Sequence, residues 1–118
     1  TTADLDWTNK NSRSTREMTD KTFRPAITGK VENMEQYETI YLGFPIWWYV
    51  APTIINTFLE SYDLTGKTVV PFATSGGSGM GRTNTELEQS CKGARLKEGK
   101  RFNINVKEAE LKTWADQF

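Results

Sequence analysis

From residue 31 onward, the chain alternates between segments typical of β-strands and segments typical of α-helices. "ETIYLGF" and "TVVPFATS" are short apolar runs rich in β-branched and aromatic residues, which favours buried strands. Helical patterns follow them, one from Pro52 to about Ser61 and one from Thr83 to about Cys91. A weaker strand in "ARLKEGKRFN" precedes a closing helix that begins near Asn105. This alternation predicts an α/β fold, a doubly wound parallel sheet with helices on both faces.

Two segments fit this pattern less well. Pro71 conflicts with the second strand, because proline cannot donate a ladder hydrogen bond and prefers the edge of a sheet. Residues 1–30 are polar and rich in hydroxyl groups and have no convincing period. They predict a long surface loop, with disorder as the alternative, inside a single domain that spans residues 1–118.

Composition excludes several classes of function. The 15 Lys and Arg balance the 15 Asp and Glu, and no basic run indicates a nucleic-acid partner. No apolar run is long enough to cross a membrane, and nothing resembles a secretory leader. The absence of histidine removes Ser-His-Asp triads, Cys-His pairs and histidine-ligated metals. The single Cys91 cannot form an internal disulfide, so we expect a reducing, cytoplasmic setting.

Two unusual loops leave the carboxyl ends of the first two predicted strands. "PIWWYVA" contains Trp47, Trp48 and Tyr49 in succession, and no helix or strand can point three consecutive side chains into one core. "SGGSGMG" is rich in glycine, which lets backbone groups approach a ligand closely. Ligands of open α/β sheets bind beyond the carboxyl ends of the strands. The two loops therefore predict one slot for a flat ligand, with a stacking wall and a hydrogen-bonding wall.

Each loop also has a simpler interpretation. The aromatic run is also explained as core residues plus an exposed patch for a protein partner, and the glycines as a tight strand-to-helix turn. "GGSGMGRT" differs by one residue from a phosphate-binding Walker A motif, with Arg82 where lysine belongs. Arginine is not a neutral replacement there, and no magnesium-binding aspartate follows a later strand. Nucleotide hydrolysis through Gly76 to Thr83 is therefore a minor alternative.

The combination of "GFPIWW" and "PFATSGGSG" at this separation closely resembles a bacterial flavodoxin-like family, as does the preceding "SRSTREM…RPAITGKVENMEQY". The similarity covers essentially the whole chain. It implies a flavodoxin-like sheet that holds FMN noncovalently, with the flavin carrying the electrons. It also implies an aromatic wall against the isoalloxazine and a polar wall at its other side or edge. The implied contacts are Pro45, Ile46, Trp47, Trp48, Thr74, Ser75, Gly76, Gly77, Ser78 and Gly79.

One departure from the family pattern concerns the start of the chain. The family begins with a strand, a Ser/Thr-rich phosphate loop, a helix and a second strand, and Thr1 follows the position where these would end. We therefore expect an N-terminally truncated domain whose first strand, "ETIYLGF", has an unpaired edge. Two functions remain open. The first is an FMN-dependent electron carrier or reductase with a redox partner or small electron acceptor. The second is a flavin-free interaction module, including one that pairs as a homodimer.

Overall fold

The computed structural model describes residues 1–75 and 79–118, and a parallel β-sheet lies at its centre. Within these residues the chain forms four helices, one 3₁₀ turn and four strands. In chain order they are α1 (Arg13–Thr19), the 3₁₀ turn (Met34–Gln36), β1 (Thr39–Pro45), α2 (Thr53–Glu60), β2 (Thr68–Thr74), α3 (Thr83–Glu88), β3 (Arg95–Leu96), β4 (Lys100–Phe102) and α4 (Glu108–Ala115).

Strand β2 is the interior strand of the sheet. On one side it pairs with β1 over its whole length, from Thr39 opposite Thr68 to Pro45 opposite Thr74. On the other side it pairs with β3 at its start and with β4 at its end. Within the described residues, β1 has a sheet partner on one side only, as expected for the strand "ETIYLGF".

Pro71 lies inside β2 and not at the edge of the sheet. It is buried, opposite Leu42 of β1. On the other side of Pro71, the neighbouring strand is interrupted between Leu96 and Lys100. Within this interruption, the N–H of Lys97 donates to the carbonyl of Val69 (2.9 Å). The predicted strand is confirmed. Proline has no N–H to donate, and because the neighbouring strand is interrupted at this point, Pro71 adds no further break to the ladder of hydrogen bonds.

Helices cover both faces of the sheet, as the sequence predicts. Alternate residues of the strands point to opposite faces. Leu42, Val69 and Ala73 pack in one hydrophobic cluster with Leu59 of α2 and Leu87 of α3. On the other face, Val70 and Phe102 pack with Trp114 of α4. The indole of Trp114 makes edge contacts with four rings, those of Tyr41, Phe72, Phe102 and Phe118.

The expectation that residues 1–30 form only a surface loop is wrong for α1. Ser12 begins this helix in an extended conformation, and its Oγ accepts a hydrogen bond from the N–H of Thr15 (3.3 Å). The buried face of the helix consists of Ser14, Thr15, Glu17 and Met18. Because three of these four side chains are polar, the segment has no apolar stripe, and hydrophobic periodicity does not reveal it.

Candidate functional site

The carboxyl ends of the strands meet at one edge of the sheet. Pro45 at the end of β1 lies opposite Thr74 at the end of β2, and Thr74 lies opposite Phe102 at the end of β4. The N–H of Ser75 donates to the carbonyl of Phe102 (3.3 Å). The loops that follow β1 and β2 therefore leave the sheet from adjacent positions, which is the arrangement that the sequence predicts for a ligand site.

A tight turn follows β1 and presents two aromatic rings to solvent. Trp47 and Val50 exchange both of their backbone hydrogen bonds, at 2.9 and 3.1 Å. The corner residues are Trp48 and Tyr49, whose φ angles are 49° and 70° and whose side chains are 41% and 66% exposed. Turns of this shape normally place Asn or Gly at the corner, since a bulky side chain is strained at positive φ. We name Trp47–Val50 the aromatic turn.

The conformation of the aromatic turn is costly. Residues held in sparsely populated backbone regions cost on the order of 1–3 kcal/mol each and persist where the surrounding structure enforces them. Such residues cluster at ligand-binding sites. The aromatic turn therefore combines two features that point to a function: backbone strain, and large rings that the core does not bury.

The aromatic turn contacts the end of the glycine-rich segment. The N–H of Arg82 donates to the carbonyl oxygen of Tyr49 (3.1 Å). Gly81 has a φ of 54°, and a Cβ at this position would clash with the same carbonyl oxygen. Gly79 is exposed, whereas Gly76, Gly77 and Ser78 lie outside the described residues.

Two recesses adjoin the indole ring of Trp48. A recess of about 220 Å³ is lined by Leu5, Trp7, Ser14, Met18, Ile46, Trp47 and Trp48. A larger cavity of about 410 Å³ shares Met18 and Trp48 with it and is lined mainly by polar and charged side chains of residues 21–24 and of α2 and α3. The structure thus joins Ile46, Trp47 and Trp48 to α1 and the segment before it. Thr74, Ser75 and Gly79 line neither recess, and their contact with a flavin stays a prediction.

The N-terminal contributors to these recesses were not found by sequence reasoning. Met18 comes from a helix that hydrophobic periodicity does not reveal, and Lys21 and Thr22 follow that helix. Trp7 is noticeable in the sequence only as an isolated ring in a polar stretch, and it is 71% exposed.

Charged groups near the site, and the single cysteine of the chain, have structural partners. Arg24 donates to both carboxylate oxygens of Glu60 (2.9 and 3.2 Å), and Ser90 donates to the second of them (2.6 Å). Hydrogen bonding from Arg24, and then from Ser90, holds the pKa of Glu60 below its ordinary value. Burial raises the pKa of the Cys91 thiol, which donates to the carbonyl of Leu87 (3.3 Å). Cys91 is therefore poorly suited to act as a nucleophile.

The phosphate-loop alternative finds little support at Thr83. This side chain is fully buried, and its hydroxyl donates to the carbonyl of Met80. It would have to turn outward to meet a magnesium ion. In residues 1–75 and 79–118, no group of three or more Cys, Asp or Glu side chains could hold a metal ion. In the same ranges, no helix has the length and apolar character needed to span a membrane.

Comparison with known proteins identifies relatives that match essentially the whole of this chain. A family model described as Flavodoxin matches residues 1–118. The crystal structure of a protein assigned as a flavoprotein from Bacteroides eggerthii DSM 20697 matches with a TM-score of 0.89 and 50% identity, over 99% of this chain and 73% of that one. A second such protein, from Bacteroides uniformis ATCC 8492, matches with a TM-score of 0.90 and 47% identity, over 98% and 74%.

A more distant match shows the fold alone. It is a flavoprotein in complex with FMN from Lactobacillus acidophilus NCFM, with a TM-score of 0.64 and 19% identity, over 86% of this chain and 65% of that one. No curated protein matches the chain.

Proposed function

The chain belongs to the flavodoxin family, and on that premise we propose that it binds FMN noncovalently beside the aromatic turn and serves in electron transfer. The observation that carries the proposal is the position of Trp48. Its indole is 41% exposed, on a strained turn at the carboxyl edge of the sheet. A distant relative supports a flavin as the ligand, since the Lactobacillus structure holds FMN.

The residues at this edge fit a flat, partly polar ring system. Trp48 offers an aromatic face, and an offset stack contributes on the order of 0.5–1.5 kcal/mol beyond the burial of area. Ile46 and Trp47 add apolar surface beside it. Bound FMN would supply the one- and two-electron chemistry, which the side chains of this protein do not provide.

A polar wall at the second strand end would hold the edge of the ring. Thr74 and Ser75 lie at the end of β2, and the predicted contacts continue through Gly76, Gly77, Ser78 and Gly79. Arg101 donates from its Nε to the Oγ of Ser75 (3.2 Å) and from its Nη1 to Asn103 (3.0 Å). This guanidinium orients the Ser75 side chain and places positive charge near the proposed site, where it would favour negative charge on a ligand.

We further propose that electrons pass to a redox protein or a small acceptor. The side chain of Tyr49 is 66% exposed, so the aromatic turn is open to such a partner. The cytoplasmic setting expected from the single cysteine stays a prediction.

A flavin-free interaction module is the second candidate, and the sheet edge favours it. Strand β1 has no second partner within the described residues, and an unpaired strand edge is a template for pairing with another chain. A colourless protein that takes up no FMN but self-associates through β1 would support this function over the first.

Titration of FMN with the purified chain tests the proposal. We expect quenching of flavin fluorescence that saturates at one FMN per chain. Trp48→Ala should weaken binding roughly two- to tenfold through loss of the ring stack alone. Tyr37→Ala is the matched control, because Tyr37 is a 53% exposed aromatic residue that lines neither recess at the aromatic turn. Equal affinity of the two variants, or no quenching by the unaltered chain, would reject the proposal.

A further inference from the structure

A second feature of the molecule is the cavity of about 410 Å³, in whose described lining Trp48 alone is also a proposed flavin contact. It lies between the aromatic turn, the start of α2, the side of α3 and residues 18–24. Its volume falls in the range of small-molecule sites. Its walls are unequal in character: Trp48, Val50 and Ala51 form an apolar side, and Lys21, Arg24 and Arg82 bring positive charge.

The start of α2 faces this cavity without a cap. The helix is eight residues long, and Pro52 at its N-cap position makes no side-chain hydrogen bond. Its first turn contains no acidic residue. The first N–H groups of a helix have no partner inside the helix, and the helix dipole adds partial positive charge there. An acceptor with negative charge would accept hydrogen bonds from these N–H groups and would interact favourably with the helix dipole.

An independent observation comes from the hydroxyl group of Thr53. This residue lines the cavity and is 7% exposed. Its Oγ1 is buried and makes no hydrogen bond to any described residue. A buried hydroxyl without a partner is destabilising. Rotation of this side chain toward the cavity would expose Oγ1, and a ligand oxygen there would then provide the partner.

The charges of the cavity are not balanced by its own carboxylate. Lys21 pairs with Glu86 (2.7 Å), which is the one acidic side chain among the described residues of the lining. Arg24 is engaged by Glu60 (2.9 Å). Within the described part of the chain, the guanidinium of Arg82 has no ion pair. Arginine presents a planar fork of donors that matches a carboxylate.

From these observations we infer that the cavity binds a small organic carboxylate. The carboxylate group lies among Arg82, Thr53 and the N-terminus of α2, and the flat or apolar body of the ligand packs against Trp48. The inference does not depend on FMN, because every group it uses belongs to this chain.

Calorimetric titration of the flavin-free protein with benzoate tests the inference, and benzamide serves as the uncharged probe of the same shape. We expect saturable binding of benzoate and at least tenfold weaker binding of benzamide. Arg82→Gln should weaken benzoate binding by roughly 10- to 150-fold, the loss expected for a hydrogen bond to a charged group. Arg82→Lys should retain part of the affinity. Lys92→Gln, which removes an exposed cation outside the cavity, should leave it unchanged.

Thr53→Val provides a second variant whose folding is not at risk. It removes a hydroxyl that has no partner in the described chain, so the free energy of unfolding should stay the same or rise, while benzoate binds several times more weakly. Equal affinity for benzoate and benzamide, equal affinity of Arg82→Gln and Lys92→Gln, or no saturable binding of benzoate would each overturn the inference. Since FMN is absent from the titration, its outcome is separate from that of the proposed function.

Discussion

Gly81 lets the glycine-rich segment approach the aromatic turn closely, and Gly81→Ala tests that contact. The backbone at this position has a φ of 54°, which side-chain-bearing residues rarely adopt. A Cβ would also clash with the carbonyl oxygen of Tyr49, a backbone atom that cannot rotate away. The substitution must therefore displace the aromatic turn or the start of α3.

The expected cost follows from two contributions. The left-handed conformation costs about 1–2 kcal/mol for a residue with a Cβ. Displacement also breaks the hydrogen bond from Arg82 N–H to Tyr49 O (3.1 Å), which contributes about 0.5–1.5 kcal/mol net. We expect a loss of about 1.5–3.5 kcal/mol in the free energy of unfolding, together with weaker FMN binding, since the turn that carries Trp48 is no longer held.

Urea unfolding followed by circular dichroism measures this loss. The change should lower the midpoint by roughly 1–2 M, given the usual dependence on denaturant for a domain of this size. Gly79→Ala is the matched control, because Gly79 lies in the same segment, has no positive φ in the restricted range, and has no atom of a described residue within 4 Å of its Cβ position. Its stability should be unchanged or raised by less than about 1 kcal/mol. Equal stability of the two variants would refute the proposed contact.

Two further predictions concern titratable groups. The pKa of Glu60 is lowered in the folded chain, so the ionised carboxylate stabilises the fold fully above its ordinary pKa of 4.5, and this contribution is lost as the pH falls below that value. Arg24→Gln should therefore reduce the difference in urea midpoint between about pH 6 and about pH 3. Lys112→Gln, which breaks an exposed pair with Asp116, should leave that difference unchanged. The buried Cys91, with its raised pKa, should react far more slowly with a thiol reagent in the native protein than in urea, and equal rates would show that the thiol is accessible.

The sheet is well predicted from the sequence because its signals are local. Strands β1 and β2 are apolar runs, and α2 has a clear apolar stripe, so each element contains the evidence for its own structure. Helix α1 is not predictable in this way, since a polar surface is buried against the rest of the chain. The capping-box pattern of Thr83 and Glu86 predicts Thr83 as the N-cap of α3, whereas Arg82 occupies that position and the buried Thr83 is the first helical residue.

The candidate site is predictable in part. Three adjacent rings cannot share one core, and the structure leaves Trp48 and Tyr49 exposed while Trp47 is half-buried. Which ring faces solvent depends on the positive φ angles of the aromatic turn. The sequence gives no sign of these angles, because neither corner residue is Gly or Asn. The 410 Å³ cavity depends on contacts between distant segments and has no local signal.

The indole N–H signals of the four tryptophans provide the most direct test of the flavin site. A two-dimensional NMR spectrum of the ¹⁵N-labelled chain, assigned with single Trp→Phe variants, would be recorded during titration with FMN. If FMN binds beside the aromatic turn, the signals of Trp47 and Trp48 will shift and the signal of Trp114, buried on the α4 face of the sheet, will stay in place. Shifts at Trp114 with none at Trp47 and Trp48, or no shift at all, would contradict FMN binding at the aromatic turn.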